Sequence, residues 1–132
     1  RQLLCWIDIN AAKFWTLDPI NHESASYDLP ERPGSFALCD STKFELDTYF
    51  IAFETGPAFY NLSTSTMLGE KLFEFEPTVS SRTNDGRVDK QGRFVFGGMS
   101  LFPDPMQPQF DSRVYRVDTD LSHHVLLPDI TV

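Results

Sequence analysis

The sequence predicts an all-β fold that is an incomplete portion of a β-propeller, with about two and a half blades. Three observations lead to this prediction. Short apolar and aromatic segments of strand length recur along the chain, and no segment repeats at helical spacing. Three series of such segments begin at residues 3, 49 and 93, so they are about 45 residues apart, a blade-like period. Asp and Pro punctuate the segments where strands and blade corners would end.

Each series contains three predicted strands, and one further short strand precedes the second and the third series. In chain order, the predicted strands are residues 3–9, 13–17, 24–29, 35–39, 49–53, 58–62, 71–75, 84–88, 93–97, 113–117 and 123–127. Four antiparallel strands make one propeller blade. The chain is therefore predicted to hold the last three strands of one blade and two whole blades, and to stop near Ile130 as another inner strand begins.

Composition limits the classes of function. The chain is 41% hydrophobic and 14% aromatic, which is ample material for a core. Its formal net charge is -8 and its 11 Lys and Arg residues form no run, which excludes a nucleic-acid surface. No signal peptide or membrane span is visible, so a cytoplasmic location is the expectation. Cys5 and Cys39 lie in predicted strands among apolar neighbours, and buried free thiols are expected there rather than a disulfide.

The most informative stretch is residues 82–99, which read RTNDGRVDKQGRFVFGGM. It contains two tight-turn signals, at residues 84–86 and 89–92, with only Arg87 and Val88 between them. The polar residues of this stretch are predicted to lie where strand and loop meet, a place where rigid scaffolds commonly carry binding groups.

The same stretch resembles the SMP-30/gluconolactonase/LRE-like family, whose pattern there is R-F-N-D-G-K-V-D-x-x-G-R-(aromatic)-x-x-G-T-M. The matching residues are Arg82, Asn84, Asp85, Gly86, Val88, Asp89, Gly92, Arg93, Phe94, Gly97 and Met99. The resemblance extends to residues 3–18 and 114–118. It implies a six-bladed propeller, of which these 132 residues would be a fragment truncated at both ends, or one of several chains that complete the ring.

The resemblance also implies a chemistry, because it points to metal-dependent lactonases that open a sugar lactone to the hydroxy acid. One divalent cation would sit at the channel mouth: calcium, with zinc or magnesium as alternatives. Its family ligands fall before and after this chain, so no metal ligand or catalytic base is expected here, and the chain alone is predicted to be inactive. Arg82 and Asn84 match the family's pair that contacts the lactone. Their two-residue spacing on an extended segment points both side chains the same way.

Several alternatives remain open at this stage. Residues 84–86 are also explained as a plain turn, with Asp85 and Asp89 holding backbone amides. Residues 100–111 are expected near the channel mouth, where Asp104 either stands in for a family Glu by a shift of two positions or is an exposed, solvated aspartate. His123 and His124 alternate to opposite faces of a strand, so they are expected to be solvated rather than metal ligands. Two functional classes follow: part of a lactonohydrolase whose partner is a sugar lactone, or a non-catalytic propeller fragment that serves as a binding module.

Overall fold

A computed structural model describes residues 2–74, 81–102, 106 and 112–130. These residues form eleven β-strands and no helix. The strands are β1 (Leu4–Asp8), β2 (Lys13–Leu17), β3 (Ser24–Asp28), β4 (Pro33–Leu38), β5 (Thr48–Phe53), β6 (Gly56–Asn61), β7 (Thr66–Leu68), β8 (Ser81–Val88), β9 (Phe94–Ser100), β10 (Ser112–Val117) and β11 (His123–Ile130). Within the described ranges there is thus no helix of the length and hydropathy that spanning a membrane would require.

The strands form three antiparallel sheets. Strands β1, β2 and β3 make a three-stranded sheet, β4 to β7 make a four-stranded sheet, and β8 to β11 make another. Strand order in each sheet follows chain order. This arrangement confirms the predicted grouping of three strands followed by two groups of four.

The core lies between the sheets, and β5 is its centre because every residue of that strand is buried. Alternation sends Tyr49, Ile51 and Phe53 into an apolar cluster shared with the first sheet, where Phe14 is fully buried. Phe50 and Ala52, which alternate with them along β5, enter a second cluster. That cluster also contains the following side chains of the third sheet: Phe94, Phe96, Tyr115 and Val117. Each sheet is therefore stacked face to face on its neighbour, as blades are in a propeller.

One predicted strand of the second sheet lies elsewhere in the structure. The prediction of a strand at residues 71–75 is wrong. The fourth strand of the second sheet is β7, which directly follows a short turn and pairs with β6. Residues 71–74 form no strand, and there the Leu72 amide donates to the Pro57 carbonyl at 2.9 Å. Residue 75 lies outside the described residues.

The end of the described chain also differs from the prediction. Strand β11 does not stop at residue 127 but continues to Ile130, which pairs with Ser112 of β10. Two register shifts along β10 let the pairing persist over this length. The expected new inner strand near Ile130 is therefore wrong, since Ile130 belongs to the outer strand of the third sheet.

Candidate functional site

The strand predicted at residues 84–88 is present as part of the longer β8, so the alternative explanation of residues 84–86 as a plain turn is wrong. Thr83 pairs with Gly98 of β9, whereas Gly86 pairs with Phe96. Three steps along β8 thus match two steps along β9, which is a β-bulge with one extra residue. The second turn signal is correct, since the Gly92 amide donates to the Asp89 carbonyl at 3.1 Å. The short polar residues that favour a turn serve here to bend a strand.

The burial pattern of β8 shows how the two predicted substrate residues are presented. Ser81 and Thr83 are buried, whereas Arg82 and Asn84 are both half-exposed. Both predicted substrate residues thus lie on β8 with buried Thr83 between them, and Asn84 lies within the bulge.

Arg82 is held by its own backbone and lies in a charged environment. Its Nη1 donates to the Thr83 carbonyl at 2.8 Å. Burial lowers the pKa of Arg82, the positive charge of Arg32 lowers it further, and Glu54 acts in the opposite direction. The guanidinium remains charged, because arginine starts from so high a pKa that such perturbations do not deprotonate it.

The neighbouring acid is committed to a different arginine. Arg32 donates from Nε and Nη2 to the two carboxylate oxygens of Glu54, the Nε bond measuring 2.9 Å. The hydrogen bond from Arg32 lowers the pKa of Glu54, with added electrostatic contributions from Arg32 and Arg82. Among the described residues, no carboxylate forms a salt bridge with Arg82. Several of its N–H donors thus stay available to a ligand.

Asn84 opens onto a cleft of about 430 Å³ between the first three-stranded sheet and the inner strands of the other two. The residues that line it include Trp6, Ile7, Gly34, Ser35, Asn84 and Asp85. Arg82 is absent from this lining, so the two predicted residues contact different surroundings. An amide in a cleft that mixes apolar and polar walls can both donate to and accept from hydroxyl groups.

The two acids of this stretch hold backbone amides, as the alternative explanation predicted. Asp89 Oδ1 accepts from the amides of Gln91 and Arg93, each at 2.9 Å, and these bonds lower the pKa of Asp89. Asp85 Oδ1 accepts from the Gly86 amide at 2.9 Å, within the bulge rather than in a turn. Both carboxylates are thus engaged in local structure.

The described residues do not fit a metal centre. No three His, Cys, Asp or Glu side chains in residues 2–74, 81–102, 106 and 112–130 lie close enough to hold an ion. His124 Nε2 lies 3.0 Å from Asp118 Oδ2, and the His123 ring stacks on Phe73 at 4.0 Å. Both histidines are exposed, which confirms the expectation that they are solvated, although each ring also has a protein partner. Both cysteines are free and half-buried, and burial raises the pKa of Cys39 to about 11.

The predicted mouth segment at residues 100–111 falls largely outside the described residues, and so does Asp104.

Sequence reasoning missed three features of the site: the Arg32 and Glu54 pair, buried Thr83, and Gly34. The pair has no local signal, because its members are 22 residues apart. Thr83 could have been singled out from the sequence, because the family pattern has Phe at that position.

The chain resembles known proteins over its whole length. The family model of the SMP-30/Gluconolactonase/LRE-like region matches residues 1–132. An L-arabinolactonase from Azospirillum brasilense is 32% identical over 92% of this chain and 38% of its own length. A 6-deoxy-6-sulfogluconolactonase from Pseudomonas putida is 35% identical over 100% of this chain and 42% of its own length. The chain thus spans about two fifths of the length of these curated relatives.

Two solved structures share the fold. The calcium-binding protein regucalcin from Agrobacterium tumefaciens aligns with a TM-score of 0.76 and 20% identity, over 96% of this chain and 39% of that one. A luciferin-regenerating enzyme aligns with a TM-score of 0.82 and 15% identity, over 99% of this chain and 43% of that one. Their likeness confirms that the three stacked sheets are blades of a β-propeller.

Proposed function

The chain belongs to the SMP-30/gluconolactonase/LRE-like family, and on that premise we propose that it forms part of a lactonohydrolase. The substrate would be a sugar lactone, opened by water to its hydroxy acid. This chain would contribute the substrate-facing Arg82 and Asn84 of β8. The names of the two curated relatives, an L-arabinolactonase and a sulfogluconolactonase, support the lactone class.

One observation supports this assignment above the others: Arg82 and Asn84 are both half-exposed on a bulged strand, while Thr83 between them is buried. A purely structural arginine at a sheet edge would be expected to pair with an acid. Here the nearby acid, Glu54, is bound by Arg32 instead. Arg82 therefore keeps donors for a ligand oxygen.

These two side chains suit the polar groups of a lactone. The Arg82 guanidinium can donate to the ring or carbonyl oxygen of the bound lactone. The Asn84 amide can donate to one sugar hydroxyl and accept from another. Their proposed task is to bind and orient the lactone. The proposal includes a divalent cation, calcium first, with ligands outside this chain.

Hydrolysis of aldonolactones by the natural full-length protein, followed as acid release, tests the proposal. Activity should fall when calcium is chelated and return when it is added back. Arg82→Ala and Asn84→Ala should each lower kcat/KM by about tenfold to a hundredfold, the cost of one charged or bidentate contact. Arg87→Ala is the matched control, because Arg87 is an exposed arginine of the same strand.

The control variant should keep the parent kinetics. Absence of lactone hydrolysis in the parent, with and without calcium, would contradict the proposal and favour a non-catalytic binding module. Equal effects of Arg82→Ala and Arg87→Ala would also contradict it, because only one of these arginines is proposed to face the substrate.

A further inference from the structure

Thr83 separates the two proposed substrate residues and is 1% exposed, so it touches no ligand. Its Oγ1 lies 3.0 Å from the Ala52 carbonyl oxygen and 2.9 Å from that of Phe53. Both carbonyls belong to β5 of the neighbouring sheet. The Thr83 hydroxyl therefore shares one proton between two acceptors and ties β8 to the adjacent blade.

Gly34 of β4 allows this approach. A Cβ at Gly34 would lie 2.6 Å from the Thr83 carbonyl carbon and 2.7 Å from its oxygen, closer than real Cβ contacts. The same two strands make a second close contact nearby. A Cβ at Gly86 of β8 would lie 2.6 Å from Ser35 Oγ of β4. Two glycines thus allow the close packing of β4 and β8, with Gly34 against the Thr83 backbone and Gly86 against the Ser35 side chain.

Both of these strands carry a bulge at the contact. In β4 the register shifts between Pro33 and Ser35, and in β8 it shifts between Thr83 and Gly86. Gly34 is the extra residue of the β4 bulge, and it lies against Thr83. The two bulged segments therefore hold each other in place. They meet where Asn84 lies outside the regular pairing of β8 with β9.

We propose that Thr83 is a positioning residue, whose hydroxyl holds Arg82 and Asn84 in the geometry that binds the lactone. The inference rests on the proposed function of those two residues. Arg82 is coupled directly, because its guanidinium donates to the Thr83 carbonyl. Asn84 is coupled through the bulge that begins at Thr83. Movement of Thr83 shifts both binding groups at once.

The test compares Thr83→Val with Thr83→Ser in the natural full-length protein. Valine keeps the shape and removes the hydroxyl, whereas serine keeps the hydroxyl. Thr83→Val should raise KM about tenfold and leave kcat within about twofold, since displacement of binding groups by a fraction of an ångström has an effect of this order. Thr83→Ser should restore KM to within about threefold of the parent.

Thr48→Val is the matched control. Thr48 is also a buried threonine, 7% exposed, whose Oγ1 accepts from Asn61 Nδ2 at 3.1 Å in the second sheet. This variant should lower the melting temperature as Thr83→Val does, but it should not change KM. The difference in KM between the two valine variants separates positioning from stability alone.

An unchanged KM in Thr83→Val, or an equal rise in KM for Thr83→Ser and Thr83→Val, would overturn the inference. Arg82→Ala and Asn84→Ala, measured alongside, distinguish the two failures. If they reduce activity and Thr83→Val does not, only the positioning role fails. If they too leave activity unchanged, the proposed function fails and the positioning role with it.

Discussion

Replacing Gly34 with alanine should destabilise the protein by forcing two strands apart. The new Cβ would meet the carbonyl carbon, the carbonyl oxygen and Oγ1 of Thr83 at 2.6–2.7 Å. These atoms are backbone or buried, so the strand must move rather than a flexible side chain. Separation of β4 from β8 also weakens the hydrogen bonds from Thr83 to β5. Overpacking of this kind costs about 1–3 kcal/mol, and lost hydrogen bonds add to it, so we expect about 3 kcal/mol.

Thermal and urea unfolding of the natural full-length protein measure this effect. Gly97→Ala is the control, since a Cβ at Gly97 would make only ordinary contacts, the nearest at 3.8 Å. It should change the free energy of unfolding by no more than about 0.5 kcal/mol. Gly34→Ala should lower the melting temperature by at least about 5 °C relative to that control. Equal melting temperatures for the two variants would refute the close approach of β4 and β8.

Two further predictions concern the charged and buried polar groups. The pKa of Glu54 is lowered from 4.5 by Arg32, so its stabilising effect is fully present above that pH and is lost as pH falls below it. Glu54→Gln should melt below the parent at neutral pH, and the gap should close on acidification; a gap that widens instead would contradict this. Asn61 is 2% exposed; its Nδ2 donates to the Leu46 carbonyl and its Oδ1 accepts from the Thr64 amide, each at 3.0 Å. Asn61→Ala should therefore lower the free energy of unfolding in urea by about 2–3 kcal/mol. A cost under about 0.5 kcal/mol would show that these bonds contribute little.

The sequence was most informative about strands that carry alternating apolar residues between turn residues. Strand β2 begins and ends where it was predicted, because Phe14 and Thr16 alternate with less buried neighbours. The stretch at residues 71–75 misled the prediction for the same reason, since Phe73 and Phe75 alternate with Glu74 as in a strand. The strand that pairs with β6 is instead β7, the three residues that follow the turn after β6. Strand pairing depends on tertiary contacts, which a local sequence pattern does not determine.

The site was predictable in part. The sequence motif singled out Arg82 and Asn84, and the structure has both of them half-exposed on β8. The bulge was not predictable from local chemistry, because Asn, Asp and Gly favour a turn and a bulge for the same conformational reasons. Only the register against β9 distinguishes the two. The pairing of Arg32 with Glu54 depends on the turn between β5 and β6, far from Arg32 in sequence.

A crystal structure of the natural full-length protein with a non-hydrolysable lactam analogue of an aldonolactone would test the account most directly. The account predicts sugar oxygens within about 3.2 Å of both the Arg82 guanidinium and the Asn84 amide. A lactam bound elsewhere, with both side chains more than about 6 Å away, would contradict the assignment of these residues to substrate binding.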